Sequence, residues 1–238
     1  MNKKLHILFL CGWYPSRILP TNGDFIQRHA EAVAIKHKVS ILHIITDENL
    51  ATKKEIEFAK INNVETYIGY VKKTKNPFLK WKRYVSMFKE LITKIEDFQV
   101  IHVNTLYPFG WFAWYLNLTK KIPYIISEHW TGYHFPQSKN ISFFHKMGSK
   151  IIVKNASFVC PVADNLTTSM QQLGFKGNYY KVPNVVDTEL FVPSKNSSTT
   201  FTIIHISSLF DAHKNISGML EVAKKLEDKI GNFTWKFI

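Results

Sequence analysis

Gly23 and Asp24 open the run NGDFIQRHAEAVA (residues 22–34), whose residue types and spacing set up an anion-binding helix start. The first turn of a helix leaves backbone N–H groups free and carries the positive end of the helix dipole, which together favour a phosphate or a carboxylate. Gly23 permits a close backbone approach, and Asp24 is placed to cap the turn with Gln27 reaching back. Ile26, Ala30, Val33 and Ala34 supply an apolar face at helical spacing. The same pattern also fits a tight crossover in which the glycine serves packing and binds nothing.

A second stretch carries charge. Between residues 72 and 94 the basic side chains are Lys72, Lys73, Lys75, Lys80, Lys82, Arg83, Lys89 and Lys94, and Glu90 is the single acid. Phe78, Trp81, Val85, Phe88, Ile92 and Ile95 recur there at helical spacing, so the stretch reads as a basic amphipathic helix. Its apolar stripe fits the protein's own sheet, its lysines fit water or an anionic membrane, and the two readings are compatible. The formal net charge of +13 calls for an anionic partner: nucleic acid, anionic lipid or a phosphorylated metabolite. No helix-turn-helix, zinc-finger or RNA-binding motif is present, so nucleic acid is not expected. The ten histidines are scattered and neither H-x-x-x-H nor C-x-x-C occurs, so no metal site is expected. Cys11 and Cys160 close apolar runs and read as small buried hydrophobes.

The elements that must position these groups alternate between apolar runs and helical patterns, which predicts an α/β fold with a Rossmann-like parallel sheet and helices on both faces. Strands are expected at residues 5–11, 38–45, 64–71, 100–104, 123–127 and 158–162, with residues 53–63 unassigned. Helices are expected after Gly23, from Pro77, and at residues 109–118, 142–153 and 164–173, the last stopped by Gly174. The start MNKKLHILFLCGW mimics a signal peptide but lacks a small-residue cleavage site and reads as a strand. No apolar run reaches the length needed to span a bilayer. At 238 residues and 45% hydrophobic content the chain can bury one large core and begin another. Residues 1–192 form the first expected domain and the polar stretch 193–200 a linker. The pattern then restarts at residues 201–238 with a strand, a helix and a strand.

Four segments, taken in order, resemble glycosyltransferase family 4, the group 1 glycosyltransferases of the GT-B fold: WYPSRILPTNGDFIQRHAEAVA at 13–34, YIISEHWTGY at 124–133, YKVPNVVDTELF at 180–191 and HISSLFDAHKNISGMLEVAKKL at 205–226. The resemblance implies two Rossmann-like domains facing each other across a cleft, the first holding the acceptor and the second the nucleotide-sugar donor. It implies that Gly23 and Asp24 lie in that cleft beside the donor phosphates or the acceptor. His129 matches a histidine that contacts the transferred sugar, and Lys214, just before a helix expected to be capped by Asn215, matches a lysine on the donor diphosphate. Asn184 and Asp187 match the approach to the interdomain hinge, where turn chemistry alone would explain them.

Two departures stand out. Ser207-Ser208-Leu209 replaces the stretch where the family often carries an arginine, and the family's E-x7-E carboxylate pair would fall beyond Ile238. The resemblance therefore implies an acceptor half and a truncated donor half, with little transferase activity from these 238 residues alone. The expected function is retaining transfer of a sugar from a nucleotide-sugar to a lipid-linked or polysaccharide acceptor in cell-surface glycan biosynthesis, such as that of lipopolysaccharide or capsule. The donor is a substrate, and no cofactor is expected. The expected location is the cytoplasm, peripheral at the inner face of an anionic membrane. A non-catalytic glycan-binding partner subunit and a sugar-nucleotide epimerase of the same fold are the alternatives.

Overall fold

A computed structural model describes residues 3–193 and 201–238, and the chain divides into two compact units, Met1–Val186 and Asp187–Ile238. The expected linker, residues 193–200, lies outside the described residues apart from Pro193.

In chain order the first unit runs β1 (His6–Cys11), α1 (Asp24–Ala34), β2 (Lys38–Asp47), β3 (Lys54–Ile61), β4 (Val64–Lys72), α2 (Pro77–Ile92), β5 (Val100–Asn104), α3 (Gly110–Lys120), β6 (Tyr124–Glu128), α4 (Phe143–Asn155), β7 (Phe158–Pro161) and α5 (Asp164–Gln172). Its strands form one sheet in the order β3-β4-β2-β1-β5-β6-β7, parallel except for β3 against β4. Successive side chains of a strand point to opposite faces. In β1, Phe9 and Cys11 accordingly join a core with Ile26 and Ala30 of α1, while Leu8 and Leu10 join a larger one with residues of α2, α3, α4 and α5. Strands covered on both faces have to be apolar throughout, which is why β1 reads as an unbroken hydrophobic run.

The chain winds one way from β1 through β2 and β4, then returns to pair β5 with the other side of β1. The point where the winding reverses, at the carboxyl ends of β1 and β5, is where an open α/β sheet forms a crevice.

Two expectations change on contact with the structure, and one unassigned stretch gains an element. Residues 54–61 form β3, an antiparallel edge strand that is mostly exposed. Asp24 is the first residue of α1 and Gly23 is its N-cap, without a side-chain cap bond; Asp24 Oδ1 accepts from the Phe25 N–H (2.8 Å), while Gln27 Nε2 donates forward to Glu31 (3.0 Å). In α2 the buried residues are Met87, Phe88 and Leu91 of the C-terminal half, whereas Phe78 is 85% exposed and Trp81 40%. Only that half of α2 lies on the sheet.

The second unit contains β8 (Thr202–His205), α6 (Asp211–Lys214), α7 (Ile216–Ile230) and β9 (Thr234–Phe237), with β8 and β9 paired in parallel. Among the described residues, no helix of either unit is long and apolar enough to cross a membrane.

Candidate active site

The loop that leads into α1 is fixed from outside. Arg17 donates to Asp47 at the end of β2 (3.1 Å) and to Glu55 of β3 (2.5 and 3.2 Å), with its guanidinium 3.8 Å over the Tyr70 ring. These bonds raise the Arg17 pKa and lower that of Glu55. Gly23 has φ +75°, and a Cβ there would lie 2.7 Å from the Trp13 carbonyl carbon. The glycine is therefore required by the chain's own backbone, whatever else approaches it.

The first turn of α1 stands beside His129. The Phe25 and His129 ring centroids are 4.6 Å apart, and those of His29 and His129 are 5.8 Å apart. His129 follows directly on β6, so it sits at the carboxyl edge of the sheet. His29, buried in α1, donates through Nε2 to Asn184 Oδ1 (3.3 Å), tying the segment after β7 to the helix. His102 of β5 bonds Ser127 of β6 (2.8 Å) and completes a polar cluster of imidazoles.

Burial decides the charge of that cluster. It lowers His29, takes His129 down to about 4 and His102 to about 3; His29 also opposes charge on both of the others, and His129 opposes it on His102. The Asn184 amide offsets this partly at His129 without meeting hydrogen-bond geometry, and both His129 ring nitrogens are buried and unpartnered. A neutral imidazole offers one donor and one acceptor, so the site can hold a hydroxyl-bearing ligand and does not attract an anion as a cation would.

Glu128 explains the shape of the loop around His129. Its Oε1 accepts from the N–H groups of His129 and Trp130 (both 2.9 Å), and its Oε2 from the Leu106 N–H after β5 (2.8 Å). Burial nevertheless raises its pKa, and the three N–H groups offset part of that cost. Glu128 lines a cavity of about 310 Å³ together with Gly12, Thr105, Trp130 and His145.

The expected site residues thus divide between the units. Gly23, Asp24 and His129 lie in the first, with Gly23 and Asp24 just ahead of Phe25, whose ring meets His129, and with Asp24 exposed. Lys214 is exposed in the second, at the end of the four-residue helix α6. Asn215 is the N-cap of α7 but makes no side-chain cap bond. Asp211 serves instead, accepting from the Ser217 N–H (2.8 Å) and hydroxyl (2.8 and 3.0 Å). Asp187 Oδ1 accepts from the Glu189 and Leu190 N–H groups, as turn chemistry requires. His29, His43, Asn104 and Glu128 were not singled out from the sequence. The available signal was a polar residue inside or closing an apolar strand, as in KVSILHII. Among the described residues, no group of three or more His, Cys, Asp or Glu could hold a metal ion.

Comparison with known proteins bears on the fold and the family. Sucrose-phosphate synthase from Thermosynechococcus elongatus superposes with a TM-score of 0.67 at 15% identity, over 98% of this chain and 62% of that one. The chain therefore spans less than two thirds of that protein's length. A second structure of sucrose-phosphate synthase from the same organism matches with a TM-score of 0.50 at 15% identity, over 92% of this chain and 99% of that one. At such identities the likeness establishes the fold, a Rossmann-like α/β sheet of the GT-B type. No curated protein sequence matches significantly. The family model of Glycosyltransferase Family 4 matches residues 25–190, a span that holds α1 from Phe25 on, His129 and Asn184, and the chain belongs to that family.

Proposed function

We propose that this chain provides the acceptor-binding part, and in its second unit a donor-phosphate contact, of an enzyme that transfers a sugar from a nucleotide-sugar to a lipid-linked or polysaccharide acceptor with retention of configuration. The observation that carries the reading is the unpartnered, neutral His129 ring at the carboxyl edge of a family 4 sheet. Neutrality suits a group that hydrogen-bonds a sugar hydroxyl. A pKa near 4 makes His129 a poor general base, which agrees with retaining transfer in which the departing phosphate takes the acceptor proton. Negative charge then builds on the diphosphate, and Lys214 would face it.

The test is sugar transfer, by the whole enzyme to which this chain contributes, from labelled nucleotide-sugars to extracted lipid-linked and soluble glycans. His129→Asn is expected to lower kcat/KM on the order of a hundredfold, as loss of an oriented polar contact does; unchanged transfer would overturn the assignment. Residues 72–94 would rest on anionic lipid, in the cytoplasm at the inner membrane face, on the way to a cell-surface glycan. Glu90, the single acid of that stretch, is already paired with Lys54. Equal flotation with neutral and anionic vesicles would remove the membrane part. One observation favours a non-catalytic glycan-binding subunit as the second reading: the start of α7 is occupied by the protein's own Asp211.

A further inference from the structure

His43 of β2 lies outside the site described so far. Its Nδ1 is 2.8 Å from the Cys11 carbonyl oxygen, which can only accept, so Nδ1 carries the proton and Nε2 is a bare acceptor. The side chain is 2% exposed and Nε2 has no partner. An unsatisfied buried acceptor is costly, and a ligand O–H is the group that would satisfy it.

The ring lines a cavity of about 550 Å³ at the carboxyl edge. That cavity shares Gly12, Trp13, Tyr107 and Pro108 with the one beside Glu128. In the other direction it shares Pro77, Trp81 and Tyr107 with a groove of about 700 Å³ between α2 and α3. The groove is aromatic: Trp81 stacks on Phe112 with centroids 5.3 Å apart, and Trp111, Trp114 and Tyr115 continue it. Lys80 lines the middle cavity and Lys89 the groove, and among the described residues neither forms an ion pair.

One trough therefore runs from hydroxyl-seeking groups, past a lysine, onto an open apolar floor. A soluble saccharide would leave that floor in water, and a simple lipid would leave His43 Nε2 unmatched. We propose that the trough takes the acceptor as an amphiphile, a saccharide hydroxyl donating to His43 Nε2 and the hydrocarbon chain lying across Trp81 and Phe112. The proposal rests on the glycosyltransferase reading and narrows its substrate class to glycolipids with an anionic linkage, whose charge would meet Lys80 and Lys89.

The experiment is NMR on the whole chain, following the His43 imidazole nitrogens and the Trp81 indole N–H. The probe is octyl β-glucoside below its micelle concentration, with glucose and octanol as controls. Both resonances are expected to move together with one Kd, about tenfold below that of either control, since each tenfold is about 1.4 kcal/mol. Trp81→Glu should weaken binding about tenfold, and His43→Phe should leave octyl glucoside binding no better than octanol. Two separate dissociation constants, movement of only one resonance, no response, or parity with octanol in the wild-type chain would each overturn the proposal. Should His43→Phe fail to fold, the Trp81→Glu result decides, because that side chain is partly exposed. No donor is present, so a chain without transferase activity still gives the expected result. Transfer to a long-chain glycolipid at an unchanged rate in Trp81→Glu would keep the enzymatic reading and sink this one.

Discussion

In the first unit the inner strands of a seven-stranded sheet are closed on both faces by apolar side chains, whereas in the second β8 and β9 pair with no described residue buried. Both units use the same order of strand, helix and strand. The first spends its burial on holding polar groups at the carboxyl edge in a dry setting, where His129 Nδ1 and Nε2, His43 Nε2 and Asn104 Oδ1 stay unpartnered. The second satisfies the start of α7 with its own Asp211 in water. Chemistry by preorganised dipoles needs the dry setting, because water screens the same groups wherever they are exposed.

Acidification should separate the units most strongly. His43 and His129 are held at about 4 and His102 at about 3 by burial, against an ordinary value of 6.5, so the unfolded chain binds protons that the folded one refuses. Their contribution is intact above pH 6.5 and is lost as the pH falls toward 4 and below. The loss reaches on the order of several kcal/mol across the three rings. Hydrogen exchange resolved by residue, run from pH 7 to 4, should show protection of β1, β2, β5 and β6 collapsing over that window. Constant protection would mean that the imidazoles are less buried than they look, and the contrast between dry and wet units would fall.

Truncation of the core gives the next largest effect. Phe9 is fully buried with its ring 4.5 Å from His102, so Phe9→Ala should cost about 3–5 kcal/mol. Phe201 is 62% exposed, and Phe201→Ala should fall within about 0.5 kcal/mol. Urea unfolding of the two variants measures both. Equal costs would show that the second unit shares in one cooperative core.

That difference also marks what the sequence could convey. The runs that became β1, β2, β5 and β6 were legible because parallel strands buried on both faces are predominantly apolar. KEIEFAKI became β3 without being foreseen, since an antiparallel edge strand is secured by backbone bonds to β4 and needs no apolar face. The helical stripe from Phe78 to Ile95 was legible as a helix, yet periodicity cannot say which end of a helix meets the sheet, and Phe78 and Trp81 proved to be exposed. His129 was legible through the family motif. His43 was not, because what distinguishes it is a missing partner, and a missing partner is a property of three dimensions.

Glu128 tests the dry edge more finely. All three of its bonds come from N–H groups, so the amide nitrogen of Glu128→Gln would put a donor against a donor and should cost roughly 1–3 kcal/mol near neutral pH. The pH dependence has its own sign. Burial raises the folded pKa, so the wild-type carboxyl adds stability below its unfolded value of 4.5 and loses it as the pH rises through the folded value. The variant should lack that slope in a pH series of urea midpoints. A retained slope would assign it to another group and leave Glu128 as a spectator of the loop.

Asp211 gives the smallest effect and tests the wet unit most directly. The carboxylate is exposed, and its pKa is lowered by the backbone and side chain of Ser217 and by the Ile216 N–H. Asp211→Ala removes a helix cap in water and should shift the midpoint of unfolding only slightly. Its value lies in anion binding, because the variant frees the Ser217 N–H, three residues after Lys214 in the chain. If the second unit receives the donor diphosphate, Asp211→Ala should raise the affinity for a nucleoside diphosphate severalfold in calorimetry, and Lys214→Ala should lower it in either background. A variant that binds no better would show that an empty helix start is insufficient where neighbouring groups remain solvated, and it would favour the glycan-binding subunit over the transferase.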